Sequence, residues 1–213
     1  KTLWKSADGE AGYATPLPMQ LGGQPHVVVS SGRAYSAVRV ADGRETWSLR
    51  WFTRYGVNAA DAIVDGDQVF VGSGYRKGCG LYKIGAELTE VWKNKNLSTQ
   101  MNAAVKLGDY LYGFDGDSGG PGKLRCVSWK TGEAAWEQAT GFGALTAADG
   151  RLLVLTGAGA LMTAPATPKG FAPTGRTRVL DKDCWTAPVL ANGRLYCRNS
   201  RGHLICLDLR RGQ

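Results

Sequence analysis

Along the chain, short runs of alternating apolar and polar residues are cut by glycine-bearing turns. That period of two belongs to strands, not to helices with their 3.6-residue period. Tryptophan closes one run after another, at Trp4, Trp47, Trp92 and Trp136, spaced 43, 45 and 44 residues apart. A second marker runs in phase: Asp65-Gly66, Gly108-Asp109, Asp149-Gly150 and Asn192-Gly193, whose glycines lie 42, 42 and 43 residues apart. Each pair precedes an apolar strand, over 68–71, 110–113, 151–154 and 194–197. Such pairs suit tight hairpins, because a positive φ costs glycine nothing and Asn or Asp little.

A strand upstream of each turn, as at 187–190, a third downstream, as at 204–207, and a fourth carrying the tryptophan make four strands per unit. A four-stranded sheet of this size cannot bury both faces alone and must stack on its neighbours. A repeat in the low forties therefore predicts an all-β fold, a β-propeller of four-stranded antiparallel blades with about five blades in this chain. The units fall near 7–50, 55–96, 97–139, 140–180 and 181–213, and their even spread predicts a single domain. The fourth is degenerate: it has no tryptophan, and Ala164-Pro165-Ala166-Thr167-Pro168 with Gly170 and Pro173 reads as a loop. The fifth lacks a tryptophan strand, whereas residues 1–6 offer one around Trp4. The two ends are expected to complete one blade, which would leave no open sheet edge.

The segments Ala41-Asp42-Gly43-Arg44-Glu45-Thr46-Trp47 and Lys130-Thr131-Gly132-Glu133-Ala134-Ala135-Trp136 resemble the blade endings of pyrroloquinoline quinone (PQQ)-type propeller repeats. More specifically, Asn58-Ala59-Ala60-Asp61, Gly74-Tyr75-Arg76-Lys77-Gly78-Cys79, Tyr112-Gly113-Phe114-Asp115-Gly116 and the run from Cys184 to Leu190 are similar to the carboxy-terminal part of exported bacterial PQQ-binding-like propellers. The resemblance covers nearly the whole chain and implies an exported, periplasmic setting. Propellers of this kind commonly have seven or eight blades. About five here implies either a complete small propeller or part of a larger one, and the second reading is preferred.

The 213 residues carry a net charge of +8, with 30 glycines and seven tryptophans, and no apolar run is long enough to span a membrane. The positive charge would steer the chain towards anionic surfaces. Lys and Arg are nevertheless scattered over all five units, and runs such as Arg210-Arg211 stay short. The reading is a solvated basic surface, with no nucleic-acid partner. Of five cysteines, Cys126 and Cys206 share one repeat position, which suggests buried small hydrophobes. Across the hairpin turning at Ser200-Arg201-Gly202-His203, Cys197 falls opposite Cys206; a cross-strand disulfide is weighed against free buried thiols, and the thiols are preferred.

Gly116-Asp117-Ser118-Gly119-Gly120-Pro121 reproduces the nucleophile motif of chymotrypsin-type proteases, but that chemistry needs a histidine held by a carboxylate. The two histidines, His26 after Gly22-Gly23-Gln24-Pro25 and His203 in a turn, read as exposed loop residues, which also disfavours zinc. The segment reads as a glycine-rich turn. Asp115 and Asp117 lack the later bidentate glutamate of an EF-hand and read as solvated. The resemblance also implies PQQ held with calcium over the axis between a tryptophan and an adjacent-cysteine disulfide. Adjacent cysteines are missing here, leaving Trp185 to stack and Asn58 with Asp61 to offer oxygens.

The residues entering the first strand of each blade lie near one mouth of the channel. The candidate ligand-binding set is Tyr13, Thr15, Asn58, Asp61, Asn102, Trp185 and Thr186, with Arg54 and Tyr55 at the rim. The competing reading is that Asn and Thr here cap turns and satisfy backbone groups. Two functions follow. One is a non-catalytic binding or scaffolding module of the cell envelope, offering rim loops or strand edges to protein partners. The other is a PQQ-dependent alcohol or sugar dehydrogenase, or a degenerate relative that binds a small polar ligand at the channel mouth.

Overall fold

The computed structural model describes residues 1–6 and 9–210. Ala7 and Asp8, at the start of the first expected unit, and Arg211 to Gln213, at the end of the fifth, lie outside the described residues. The described elements are nineteen strands in five antiparallel sheets, each built of strands consecutive in sequence. The chain divides into two compact units, Lys1–Ala103 and Ala104–Gln213.

The first unit holds two four-stranded sheets: β1 (Leu17–Leu21), β2 (Gln24–Ser30), β3 (Ala34–Arg39) and β4 (Glu45–Arg50), then β5 (Ile63–Asp65), β6 (Gln68–Ser73), β7 (Gly78–Lys83) and β8 (Thr89–Asn94). Its core forms where Met19, Val28, Ala37 and Trp47 of the first sheet meet Val69, Val71 and Tyr82 of the second. The β1–β2 hairpin turns at Gly22-Gly23, both with positive φ (56° and 73°), a marker that the 42-residue series leaves out.

The second unit holds β9 (Val105–Leu107), β10 (Tyr110–Asp115), β11 (Lys123–Ser128) and β12 (Ala134–Ala139). Next come β13 (Gly143–Ala148), β14 (Arg151–Thr156), β15 (Ala160–Pro165) and β16 (Gly175–Arg178). A three-stranded sheet follows, of β17 (Val189–Ala191), β18 (Arg194–Arg198) and β19 (Leu204–Asp208). The run Leu152-Leu153-Val154-Leu155 is apolar throughout because both faces of its sheet are covered. Leu152 and Val154 pack with Tyr112, Cys126 and Met162, whereas Leu153 and Leu155 pack with Leu161, Leu195 and Cys197.

Three tryptophans do the same job in three fourth strands. Trp47 stands opposite Ala37, Trp92 opposite Leu81 and Trp136 opposite Cys126, and in each case the register slips by one residue immediately beyond, a β-bulge at Thr46, Val91 and Ala135. The bulge interrupts the ladder and increases the local twist of the outer strand. The unit expected to be degenerate does make a fourth strand, β16, after a loop over 166–174. Gly175 stands opposite Thr163 there, and the pairing of β15 with β16 has no bulge.

Three expectations are corrected. Residues 1–6 form no strand and supply none to the last sheet: the Trp4 indole donates to the Val40 carbonyl (2.8 Å), and its ring lies so close to Gly43 that a Cβ there would be 2.5 Å away. His26 is not an exposed loop residue. It sits in β2, 4 % exposed, with its ring nitrogens 2.8 Å from the Gln24 carbonyl and 2.9 Å from the Thr46 hydroxyl. The cysteine hairpin is one residue out of the expected register, with Cys197 opposite Ile205 and Cys206 opposite Tyr196. Neighbouring register positions point to opposite faces, so Cys197 is buried, Cys206 is exposed, and both are free thiols.

Candidate functional site

Of the sequence-predicted residues, Tyr13, Thr15, Arg54, Tyr55, Asn58 and Asp61 gather around one segment of the first unit, 51–61, which carries the chain from β4 into β5. Asn58 is fully buried there. Its carboxamide nitrogen donates to the carbonyls of Ser31 (2.9 Å) and Trp51 (2.8 Å), and its oxygen accepts the Ser73 hydroxyl (3.0 Å), which itself accepts the Trp51 indole N–H (3.0 Å). The Asn58 carbonyl in turn accepts the Tyr13 N–H (2.9 Å) and the Ser30 hydroxyl (3.2 Å). The side chain is thus spent on the protein itself.

Asp61 accepts the Thr15 N–H (2.6 Å), and the Tyr35 hydroxyl donates to the Ala60 carbonyl (2.8 Å). Burial, outweighing the hydroxyl of Ser73 and aided by the charge of Asp61, pushes the Tyr35 phenol well above its ordinary range and keeps it neutral. These bonds hold 10–15, 31–35 and 51–61 as one framework, so Tyr13, Thr15, Asn58 and Asp61 do come together. Asn102 lies half-buried on the approach to β9. Trp185 and Thr186 belong to the second unit, on the approach to β17; Trp185 is exposed, and the Thr186 hydroxyl is buried.

What the framework presents to solvent is aromatic and cationic. Tyr13 is 74 % exposed, Tyr55 61 % and Phe52 50 %. Tyr55 meets Tyr75 edge-to-face with ring centroids 5.0 Å apart, and the Arg54 guanidinium lies 5.4 Å from the Tyr55 ring centroid. Tyr75 and the exposed Arg76 occupy the β6–β7 turn with consecutive positive φ values of 56° and 60°. Left-handed backbone costs a non-glycine residue roughly 1–2 kcal/mol, so the framework holds this turn against its own preference. Beneath it, Lys77 lies 4.8 Å and Lys93 5.4 Å from the buried Trp51 ring. Burial first, then the charges of Lys93 and Arg50, hold the Lys77 ammonium below its ordinary range.

Sequence reasoning named Arg54 and Tyr55 but missed Phe52 and Tyr75. The tyrosine's role follows from the pairing of 73 with 78, a long-range fact. In the second unit, Ser118 sits in a turn where the Gly120 N–H donates to the Asp117 carbonyl (3.0 Å). Among the described residues no three His, Cys, Asp or Glu side chains converge as a metal site, and no helix is long and apolar enough to cross a membrane.

No protein family model matches the chain. No curated protein matches it either. Among solved structures it is similar to BamB from Moraxella catarrhalis, with 17% sequence identity and a TM-score of 0.67 over 95% of this chain and 59% of that one. It is also similar to the computationally designed Ika8 protein, at 9% identity and a TM-score of 0.66 over 89% and 56%. The chain therefore spans less than two thirds of the length of either. The likeness shows the fold: this is an all-β chain of propeller blades, five sheets of three or four antiparallel strands among the described residues.

Proposed function

We propose that the chain is a protein-binding module of the bacterial cell envelope, and that the rim formed by Phe52, Arg54, Tyr55, Tyr75 and Arg76 is a contact surface. The observation that carries this reading is the exposed Tyr55 with its guanidinium, packed edge-to-face on the half-buried Tyr75 of a strained turn fixed from below by Asn58, Ser73 and Trp51. Tyrosine and arginine are the residues in which binding energy concentrates at protein interfaces, and rigid support keeps the ordering cost small. The envelope setting rests on the resemblance to exported PQQ-binding-like propellers. The likeness to BamB supports the propeller fold on which such a rim would sit.

The test is a photo-crosslinking side chain installed at Tyr55 in cells, with the exposed Thr89 of β8 as the control position. Protein adducts are expected from position 55 and not from position 89, and Tyr75→Ala should abolish them. Adducts in equal yield from both positions, or none from position 55, would dismiss the rim as a contact surface.

A further inference from the structure

Strand β16 differs from the other fourth strands in ways that bear on what it can bind. All four of its residues are exposed and it carries no tryptophan, although like the other fourth strands it pairs with the third strand alone. The bulges that interrupt the ladder and twist the other three are missing from it. A regular, unpaired edge presents alternate N–H and C=O groups, a ladder ready for one more strand.

Charge and shape say what kind of strand. Arg176 and Arg178 are two residues apart and so project to one face, the face of their register partners Met162 and Ala160. Among the described residues neither guanidinium has a carboxylate partner. A third, Arg151, is held at the Thr174 end of the strand by the hydroxyls of Thr163 and Thr174, not by an acid. Three concavities share these residues in turn. One of about 360 Å³ lies between Gln138, Met162, Phe171, Pro173 and Arg176; one of about 390 Å³ runs from Ala158 past Arg176 to Arg178; one of about 380 Å³ runs from Arg178 to Asp181 and His203. Asp181 is the acidic side chain lining them.

We infer that β16 accepts an extended acidic segment of a protein partner as an added strand, with carboxylates two residues apart on the face of Arg176 and Arg178. This deepens the reading of the chain as a protein-binding module and rests on it. Two copies of β16 cannot serve each other, because like charges directly opposite across a ladder repel. An acidic strand gains in the same positions.

Fluorescence anisotropy on the full chain, with a short synthetic peptide alternating glutamate and valine, measures the inference. The peptide is expected to bind, more weakly as salt rises. The exposed charge reversal Arg176→Glu with Arg178→Glu should lower the affinity about tenfold or more at an unchanged melting temperature. If that pair disturbs folding, Arg176→Gln with Arg178→Gln makes the same test. A proline at the centre of the peptide, which cannot donate to the ladder, should abolish binding. Equal binding by a lysine–valine peptide or by the proline peptide, displacement by a DNA oligonucleotide of the same charge, or no binding at all would overturn the inference. Crosslinks from position 55 that persist while the peptide fails sink the β16 groove alone; failure of both sinks the binding-module reading with it.

Discussion

All three hydrogen bonds of the Asn58 carboxamide end on groups of a buried framework, and no other side-chain type of that volume offers two donors and an acceptor in one plane. Asn58→Ala should therefore leave the carbonyls of Ser31 and Trp51 short of a donor and lower stability by about 2–3 kcal/mol in denaturant titration. A loss under about 0.5 kcal/mol, the scale of an ordinary surface change, would mean that the framework does not depend on it. The thiols divide as sharply. Burial pushes Cys126 up to about 11 against a hydrogen bond from Tyr112, and pushes Cys197 up to about 11 with the charge of Cys184 adding to it; burial raises Cys184 too. Near pH 8 these stay protonated and unreactive, because the thiolate is the nucleophile. A thiol reagent should then modify a single site quickly, the exposed Cys206, and Cys206→Ser should remove that phase; a second fast site would contradict the burial of the others. Cys126 and Cys206 were legible as equivalent repeat positions, but only the structure shows why they differ. Trp136 covers Cys126, and among the described residues no fourth strand stands over Cys206.

Strand by strand, the sequence markers and the structure agree where a local cause acts. The pairs Asp149-Gly150 and Asn192-Gly193 turn hairpins with positive φ at both residues (48° and 70°, 51° and 72°), which is why they could be read directly. β16 was missed because its signal is not local: it has no tryptophan, and its place is set by pairing with β15 across the loop over 166–174. Residues 1–6 misled for the converse reason, since Trp4 looks like a strand tryptophan but its indole is satisfied on the first sheet. The two turns that flank β14 illustrate the difference between conformational and spatial need. Gly150 has a positive φ with open space around it, whereas a Cβ on Gly159 would lie 2.0 Å from the Leu180 carbonyl oxygen and 2.1 Å from that of Asp181. Gly150→Ala should cost about 1–2 kcal/mol, the backbone penalty alone. Gly159→Ala adds a clash that only backbone movement relieves, and it breaks the bonds by which the N–H groups of Val179 and Leu180 reach the Gly159 carbonyl (3.0 and 3.3 Å). Its loss should exceed that of Gly150→Ala by at least about 2 kcal/mol in the same titration, and equal losses would show that 179–181 does not depend on that contact.

Taken as a whole chain, the sheets follow one another without crossing, and each core described joins consecutive sheets. In such repeat architectures stability is close to a sum of unit terms and nearest-neighbour terms, so damage spreads with distance along the chain and not all at once. The candidate rim draws on the first unit and the β16 groove on the second, each built on its own core. Its repeat period made the fold legible from sequence, but a site assembled from loops has no period, and only Arg54 and Tyr55 of the rim could be named beforehand. Amide hydrogen exchange under native conditions separates the two units. Asn58→Ala should lower protection first in strands β1 to β8, and Gly159→Ala first in β13 to β19, each leaving the other unit near its original rates at short exchange times. Uniform loss of protection over the whole chain in both variants would make it a single cooperative block. A partner bound at β16 would then be expected to tighten the Tyr55 rim as well; under the local pattern the two surfaces act independently.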